Sequence, residues 1–406
     1  MLSHALALAL LAGSPADEPT LTVVDVPFPA GPETGMPDLA ADADGSPIAS
    51  WVERGAGGRV TLRLSFFEEG AWSKPVHVAS GDDWFVNWVD VPRIAALSDG
   101  TLLATWEQSI GAQTYAYGVR FAVSRDRGAS WTEPQWLHDD RSPVEHGFVS
   151  LTALDATRFV ALWLDGRNTE DHGDGNRGAM ALYSRTIEVA GGAATPGREL
   201  VVDRRVCDCC PTALAGSAEE GVICLYRDRS EEEVRDIGYA FLGEDTWTPT
   251  GSVHADGWRI EGCSVNGPEV ASRDGRLAAV WFTGTGPGGG SVLVAVPGRA
   301  GFEAPVDVDD GSPVGRVGAC FLADGSLLVS WLEHEERRAT WRVRRITFDG
   351  ATVALEPSVV VAQVDSSRAS GVCRLLAAGK GAIAAWTADG PVPRVVTARI
   401  DSRARD

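Results

Sequence analysis

The 406-residue chain is expected to fold as an all-β, seven-bladed β-propeller of four-stranded antiparallel blades. Three observations carry that expectation. The pattern Asp-Gly, five residues, Trp runs from Asp44 to Trp51, Asp99 to Trp106, Asp274 to Trp281 and Asp324 to Trp331. Degenerate copies end at Trp163, Tyr226 and Trp386, which places seven aromatic anchors 55, 57, 63, 55, 50 and 55 residues apart. Each interval also reads as four short strands of Val, Leu, Ala and Trp between Gly- and Asp-bearing turns. A unit of ~40–50 residues built this way cannot bury both of its faces alone, so copies must stack round an axis.

Taken in chain order, residues 1–16 read as a cleaved export signal. Leu6 to Ala12 is a short apolar run, and Gly13-Ser14-Pro15-Ala16 supplies small residues for cleavage before Asp17, although no Lys or Arg precedes the run. No segment reaches the ~20 apolar residues of a membrane span. The mature protein is therefore expected in the periplasm or secreted, where disulfides persist. The propeller is expected over 17–401 and a short tail over 402–406. In the second unit, Arg93 to Ser98 forms strand one, Asp99-Gly100 the turn, and Leu102 to Glu107 strand two. Val119 to Ser124 and Glu133 to Leu137 follow as strands three and four. The last unit, Leu375 to Ile400, has room for only three strands, and Leu21 to Phe28 can supply the fourth. Pairing the two chain ends closes the ring and removes an exposed edge. A six-bladed ring is the alternative, and it requires one copy to be an insertion.

Composition narrows the function. Apolar residues make up 44% and charged residues 23%, which is globular material. The formal net charge of -20 excludes a nucleic-acid partner, because polyphosphate would be repelled. Among the 36 basic residues only Lys74 and Lys380 are lysines, so no single arginine is strong evidence of function. Nothing in the sequence sets an oligomeric state.

Between strands three and four of the second unit lies Ser124-Arg125-Asp126-Arg127-Gly128-Ala129-Ser130-Trp131, which fits Ser-x-Asp-x-Gly-x-x-Trp. Worn versions stand at Gly70-Ala71-Trp72-Ser73-Lys74-Pro75, Asp245-Thr246-Trp247-Thr248-Pro249 and Gly301-Phe302-Glu303-Ala304-Pro305. With the repeat, they make nearly the whole chain resemble the sialidase-like (BNR, or Asp-box repeat) propellers. The box itself has a structural job: Asp126 holds turn N–H groups, Gly128 takes the strained φ, and Trp131 packs between sheets. The resemblance implies an exo-α-sialidase or related glycoside hydrolase, with three arginines on a sugar carboxylate, a Tyr nucleophile paired with Glu, and an Asp acid/base. Val91-Pro92-Arg93-Ile94 is similar to that family's Phe-Arg-Ile-Pro motif. The tyrosines are 115, 117, 183, 226 and 239, and none lies in the last two blades, where the family's nucleophile is expected.

Connectivity sorts the loops. The one-to-two turns and the Asp-box turns share one face, while two-to-three hairpins and interblade connections share the other. The second face holds the long polar loops, including 82–90, 138–146, 165–176, 227–236 and 254–263, and the site is expected there. Two constellations mark it. One is charged: Arg227-Asp228-Arg229 with Arg235-Asp236, joined by Arg259, Arg316 and Arg368. Glu53, Asp165, Asp228 and Glu333 each follow an anchor by two residues. Arg93, Arg227 and Arg259 would clamp an anionic glycan or other carboxylate, and Asp165, Asp228 or Glu107 would serve as acid/base groups. Mutually satisfied rim salt bridges are the bland alternative. The other constellation is Cys207-Asp208-Cys209-Cys210-Pro211 with Cys263. It forms either disulfides, one of them to Cys263, or a thiolate site for Cu or Zn in a non-catalytic propeller. Cys224, Cys320 and Cys373 read as small core residues. A scaffold role also stands open. The acidic loop 165–176 lacks EF-hand spacing, and Gly286 to Gly290 reads as a hairpin tip rather than a phosphate cradle.

Overall fold

Short β-forming runs punctuated by Gly and Asp build seven antiparallel sheets, four of four strands and three of five, arranged as the blades of one ring, with a separate two-stranded hairpin of Pro297–Gly298 and Gly301–Phe302. The computed structural model describes residues 21–169, 178–244, 246–335, 338–349 and 352–402. The expected export segment 1–16, part of the acidic loop and residues 403–406 of the tail lie outside them. In the second blade the strands are Ile94–Ala96, Leu102–Ser109, Tyr117–Ser124 and Gln135–Trp136, ordered from axis to rim. The last blade combines Arg374–Ala378, Gly381–Ala388 and Arg394–Ser402 with Leu21–Val26 as its outer strand, in register from Leu21↔Ser402 to Val26↔Thr397. The two ends of the chain thus close the ring at seven blades, not six.

Each anchor occupies the second strand of its blade, and Trp51, Trp163, Trp281 and Trp331 are fully buried. The core is a set of layers between neighbouring blades: Trp163 packs with Phe121 and Val149, and Trp331 with Val280 and Val294. The Asp-Gly repeat is explained by its turns. Asp44, Asp99 and Asp324 accept the amides of Ser46, Thr101 and Ser326 at 2.8–2.9 Å, while Gly45, Gly100 and Gly325 sit at φ 81–83°. The fourth copy is tighter. Asp274 and Gly275 both take positive φ, as a two-residue hairpin turn requires.

The Ser124–Trp131 turn closes on itself. Asp126 accepts the Ser130 amide at 2.8 Å, and Ser124 Oγ accepts the Gly128 amide at 2.7 Å. Arg127 reaches Asp42, beside the one-to-two turn of the first blade, at 3.0 Å, so both turn types share one face. Interblade connections and two-to-three hairpins are gathered on the other. Among the described residues no helix is long and apolar enough to cross a membrane.

Candidate functional site

Seven-fold stacking brings loops from several blades to one mouth. There they enclose a cavity of about 660 Å³ lined by Trp88, Glu145, Asp208, Cys209, Arg235, Cys263 and Arg368, among others. An adjoining recess of about 580 Å³ shares Tyr115, Glu145, Asp208 and Arg229 with it and adds Arg205. Trp88 and the 60%-exposed Tyr115 present apolar surface to the opening.

Glu145 is the group best placed for proton chemistry. Its Oε1 lies 2.7 Å from the Tyr117 hydroxyl, and the same hydroxyl lies 2.8 Å from Asp90 Oδ2. Burial pushes the Glu145 carboxyl up to about 8, with Asp90 and Asp208 adding to the rise against the Tyr117 hydrogen bond. Burial likewise raises Asp90 to about 6, although Tyr117 and the Phe148 amide (2.7 Å to Oδ1) favour its charge. Tyr117 is itself pushed well up by burial and both carboxylates, so it carries protons rather than acting as a phenolate nucleophile. The cavity therefore has a carboxylic acid that keeps its proton at neutral pH.

Asp208 stands in the opposite environment. Arg229 Nη1 lies 3.8 Å and Arg235 Nη1 3.9 Å from its two oxygens. Both arginines are oriented by Glu233, held down to about 2 by their hydrogen bonds. Arg368 has no carboxylate partner among the described residues and faces Trp88 at 6.0 Å. Four arginines (Arg205, Arg229, Arg235, Arg368) thus meet three ionisable carboxylates (Asp208, Glu233, Glu261) once Glu145 is neutral. In a chain of net charge -20, this is a local reversal of sign.

The cysteines form one wall. Cys209 and Cys263 are joined as a disulfide with Cα atoms 6.0 Å apart. Cys207 and Cys210 remain thiols with sulfurs 3.4 Å apart, and Cys207 Sγ is 3.9 Å from Cys209 Sγ. Arg235 Nη1 donates to Cys207 Sγ at 3.0 Å, and Ser264 Oγ lies 3.2 Å from Cys210 Sγ. Cys224, Cys320 and Cys373 are buried free cysteines within the blade cores.

The six acid/base and arginine candidates named from sequence do not line this cavity. Arg93 faces a separate axial channel, of about 790 Å³, that reaches Gly45, Ser217 and Gly379 at the one-to-two turns. There it is paired with Asp38 at 2.8 Å and donates to the Val149 carbonyl. Arg227 is buried, with its guanidinium donating to the carbonyls of Asn266, Arg235 and Phe282 over the Trp258 ring. It staples two blades, and its buried guanidinium does not line the cavity. Asp165 is buried and accepts the Trp163 indole at 2.8 Å and Arg167 at 2.6–2.7 Å. Burial raises its carboxyl, but these bonds and the nearby His146 outweigh that and hold it low. Asp228 is half-buried and raised to about 6 by burial, yet its Oδ1 is turned to the Arg229 amide. Glu107 is sealed in, raised well above its usual range by burial and by Asp90, with Oε1 unpartnered. Arg259 is exposed and tied through its backbone to Val234. Sequence reasoning missed Glu145 and Asp208 as acid/base groups, though Glu145 stands in the loop 138–146 and Asp208 within the cysteine cluster that it singled out.

No family model matches the chain, and no curated protein matches it in sequence. Solved structures share its fold. One is a protein of unknown function from Dyadobacter fermentans, with TM-score 0.53 and 13% identity over 95% of this chain and 100% of that one. A mutant α-L-arabinofuranosidase of Fusarium graminearum, bound to an iminosugar inhibitor, gives 0.51 and 12% identity over 94% and 98%. The intramolecular trans-sialidase of Ruminococcus gnavus gives 0.48 and 11% over 80% and 99%. At such identities the likeness is one of architecture.

Proposed function

We propose that this chain is an exported propeller that binds an anionic glycan in the loop-face cavity and hydrolyses it. Glu145 is the proton donor to the leaving oxygen, and Asp208 is the carboxylate that acts as base or nucleophile. Arg368, with Arg229 and Arg235, holds the ligand's acidic group. The fold does not assign a reaction. One observation carries the reading: two carboxyl groups share a cavity in contrasting surroundings, Glu145 buried and pushed up to about 8, Asp208 flanked by two guanidiniums.

The test is turnover of a sialoside and a set of uronides by the full chain. Glu145→Gln is expected to lower kcat by about 10²–10⁴-fold, the usual worth of a positioned acid. Arg368→Ala is expected to raise KM with little change in kcat. Saturable binding without turnover would leave a glycan-binding module; absence of both would end the proposal.

A further inference from the structure

We infer that the cysteine wall is a zinc site in the reduced protein: once the Cys209–Cys263 disulfide is opened, Cys207, Cys209, Cys210 and Cys263 cage one Zn²⁺. Three of the sulfurs already lie within 4.8 Å of one another. The fourth, on Cys263, is bonded to Cys209 and so stands at the same place. A tetrahedron with Zn–S bonds of about 2.3 Å has edges of roughly 3.8 Å. The separations of 3.4 Å and 3.9 Å bracket that edge. The Cα spacing of Cys209 and Cys263, 6.0 Å, lets both side chains reach a common centre.

The two connections that carry these cysteines are held independently of the sulfurs. Cys207 donates its amide to the Arg227 carbonyl at 2.9 Å, beside the Val206–Asp228 bridge, which ties the first connection to the fourth blade. The second connection approaches so closely that a Cβ on Gly267 would lie 2.0 Å from the Pro211 carbonyl oxygen. Glycine at 267 is what allows Cys263 to be carried alongside Cys209. Opening the disulfide therefore leaves the four sulfurs near one another.

Charge favours the same occupant. Four thiolates around Zn²⁺ carry a net charge of −2, which is costly in a buried wall unless cations stand beside it. Arg235 donates directly to Cys207 Sγ, and the buried Arg227 guanidinium lies close enough for its charge to be felt by both Cys207 and Cys210. Arg227 and Arg235, the latter also paired with Glu233, place two guanidiniums beside the sulfurs.

Zinc and disulfide exclude each other at Cys209 and Cys263. Reduction by a low-molecular-weight thiol consumes two RSH, forms one RSSR and leaves Cys209 and Cys263 as thiols. Zinc then displaces four protons as the four thiols become thiolates. The same cavity wall is thus fastened by a covalent bond when oxidised and by a metal when reduced, and this holds whether or not the cavity hydrolyses a glycan.

The experiment uses the full chain, reduced and kept anaerobic, loaded with Zn²⁺ alone and desalted before elemental analysis. One zinc per chain is expected in the reduced protein and none in the oxidised protein. Cd²⁺ as a probe should give a thiolate-to-metal charge-transfer band that the Cys207→Ser/Cys210→Ser variant lacks and Cys224→Ser keeps. Timed alkylation with mass mapping of the unaltered chain decides the matter if a variant fails to fold. Zinc should protect Cys207, Cys209, Cys210 and Cys263 together. A reduced chain that retains no zinc, a double variant that retains as much as the parent, or protection that omits Cys263 would overturn the site.

Discussion

The Tyr117 hydroxyl has one hydrogen and lies against two carboxyl oxygens, on Asp90 and Glu145. It cannot donate to both, so one of those carboxyls keeps a proton of its own. Glu145, raised from an ordinary 4.5 to about 8, is the better holder. The consequence for stability has a definite sign. Between pH 4.5 and about 8 the folded chain keeps this proton and the unfolded chain does not. Stability from this group is therefore complete below 4.5 and is lost as pH rises through about 8. Denaturant titrations at several pH values should show that decline, and Glu145→Gln should flatten it. The activity profile should follow: kcat/KM falls above about pH 8 as the donor loses its proton. A profile unchanged across that range would remove Glu145 from the reaction. The loss in Glu145→Gln should also be steeper for a sugar leaving group than for a stable aryl oxide, which needs less protonation.

Among elements, the Ser124–Trp131 turn shows why some of the molecule was legible in sequence. The bonds that shape it, made by the Ser124 and Asp126 side chains, lie within Ser124–Trp131, so residue types and spacing suffice to read it. Gly128 has φ 86°, and a Cβ there would come within 2.8 Å of Val76 Cγ1. Gly128→Ala should cost about 1–3 kcal/mol from left-handed backbone strain, with the contact adding to it. It should lower Tm in calorimetry while leaving ligand affinity and zinc uptake unchanged. The carboxylates that follow the anchors were half legible. Their period is plain in the sequence, but their use is not: Glu53, Asp165 and Glu333 accept the indole N–H of Trp51, Trp163 and Trp331. Where the anchor is Tyr226, its hydroxyl goes to Asp203 instead, and Asp228 is left without that bond. The Glu145 site was illegible for a different reason. Its partners Tyr117 and Asp90 stand 28 and 55 residues away along the chain (145 less 117 and 145 less 90), on other elements, and no local spacing links them. Arg227 misled because burial against three carbonyls cannot be seen in a polar run such as 226–229.

At the scale of the whole ring, stability depends on closure. Every interblade core is shared by two neighbours, so no blade has an apolar face of its own to keep. Leu21, 3% exposed, is built into the layer between the sixth and seventh blades with Leu332, Trp341, Val364 and Ile400. On the other side of the seam, Trp72 Nε1 donates to Thr397 Oγ1 at 2.9 Å and the Val395 amide to Thr34 Oγ1 at 3.0 Å. The N-terminal strand therefore fastens the last blade to the sixth, and side-chain bonds fasten it to the first. Truncating Leu21 to Ala should cost about 2–5 kcal/mol, the range for a buried leucine whose site cannot collapse. Because the loss falls on a layer that both neighbours need, it should displace the one unfolding transition of the whole molecule. A calorimetric scan of Leu21→Ala is expected to show a single peak moved to lower temperature, with near-UV and far-UV dichroism melting together. A separate early transition confined to a fraction of the enthalpy would mean that the seventh blade opens alone. In that case the ring is a chain of seven modules with a loose clasp, and the loop-face cavity, which draws Arg368 from the connection into that blade, would lose one wall before the rest of the fold gave way.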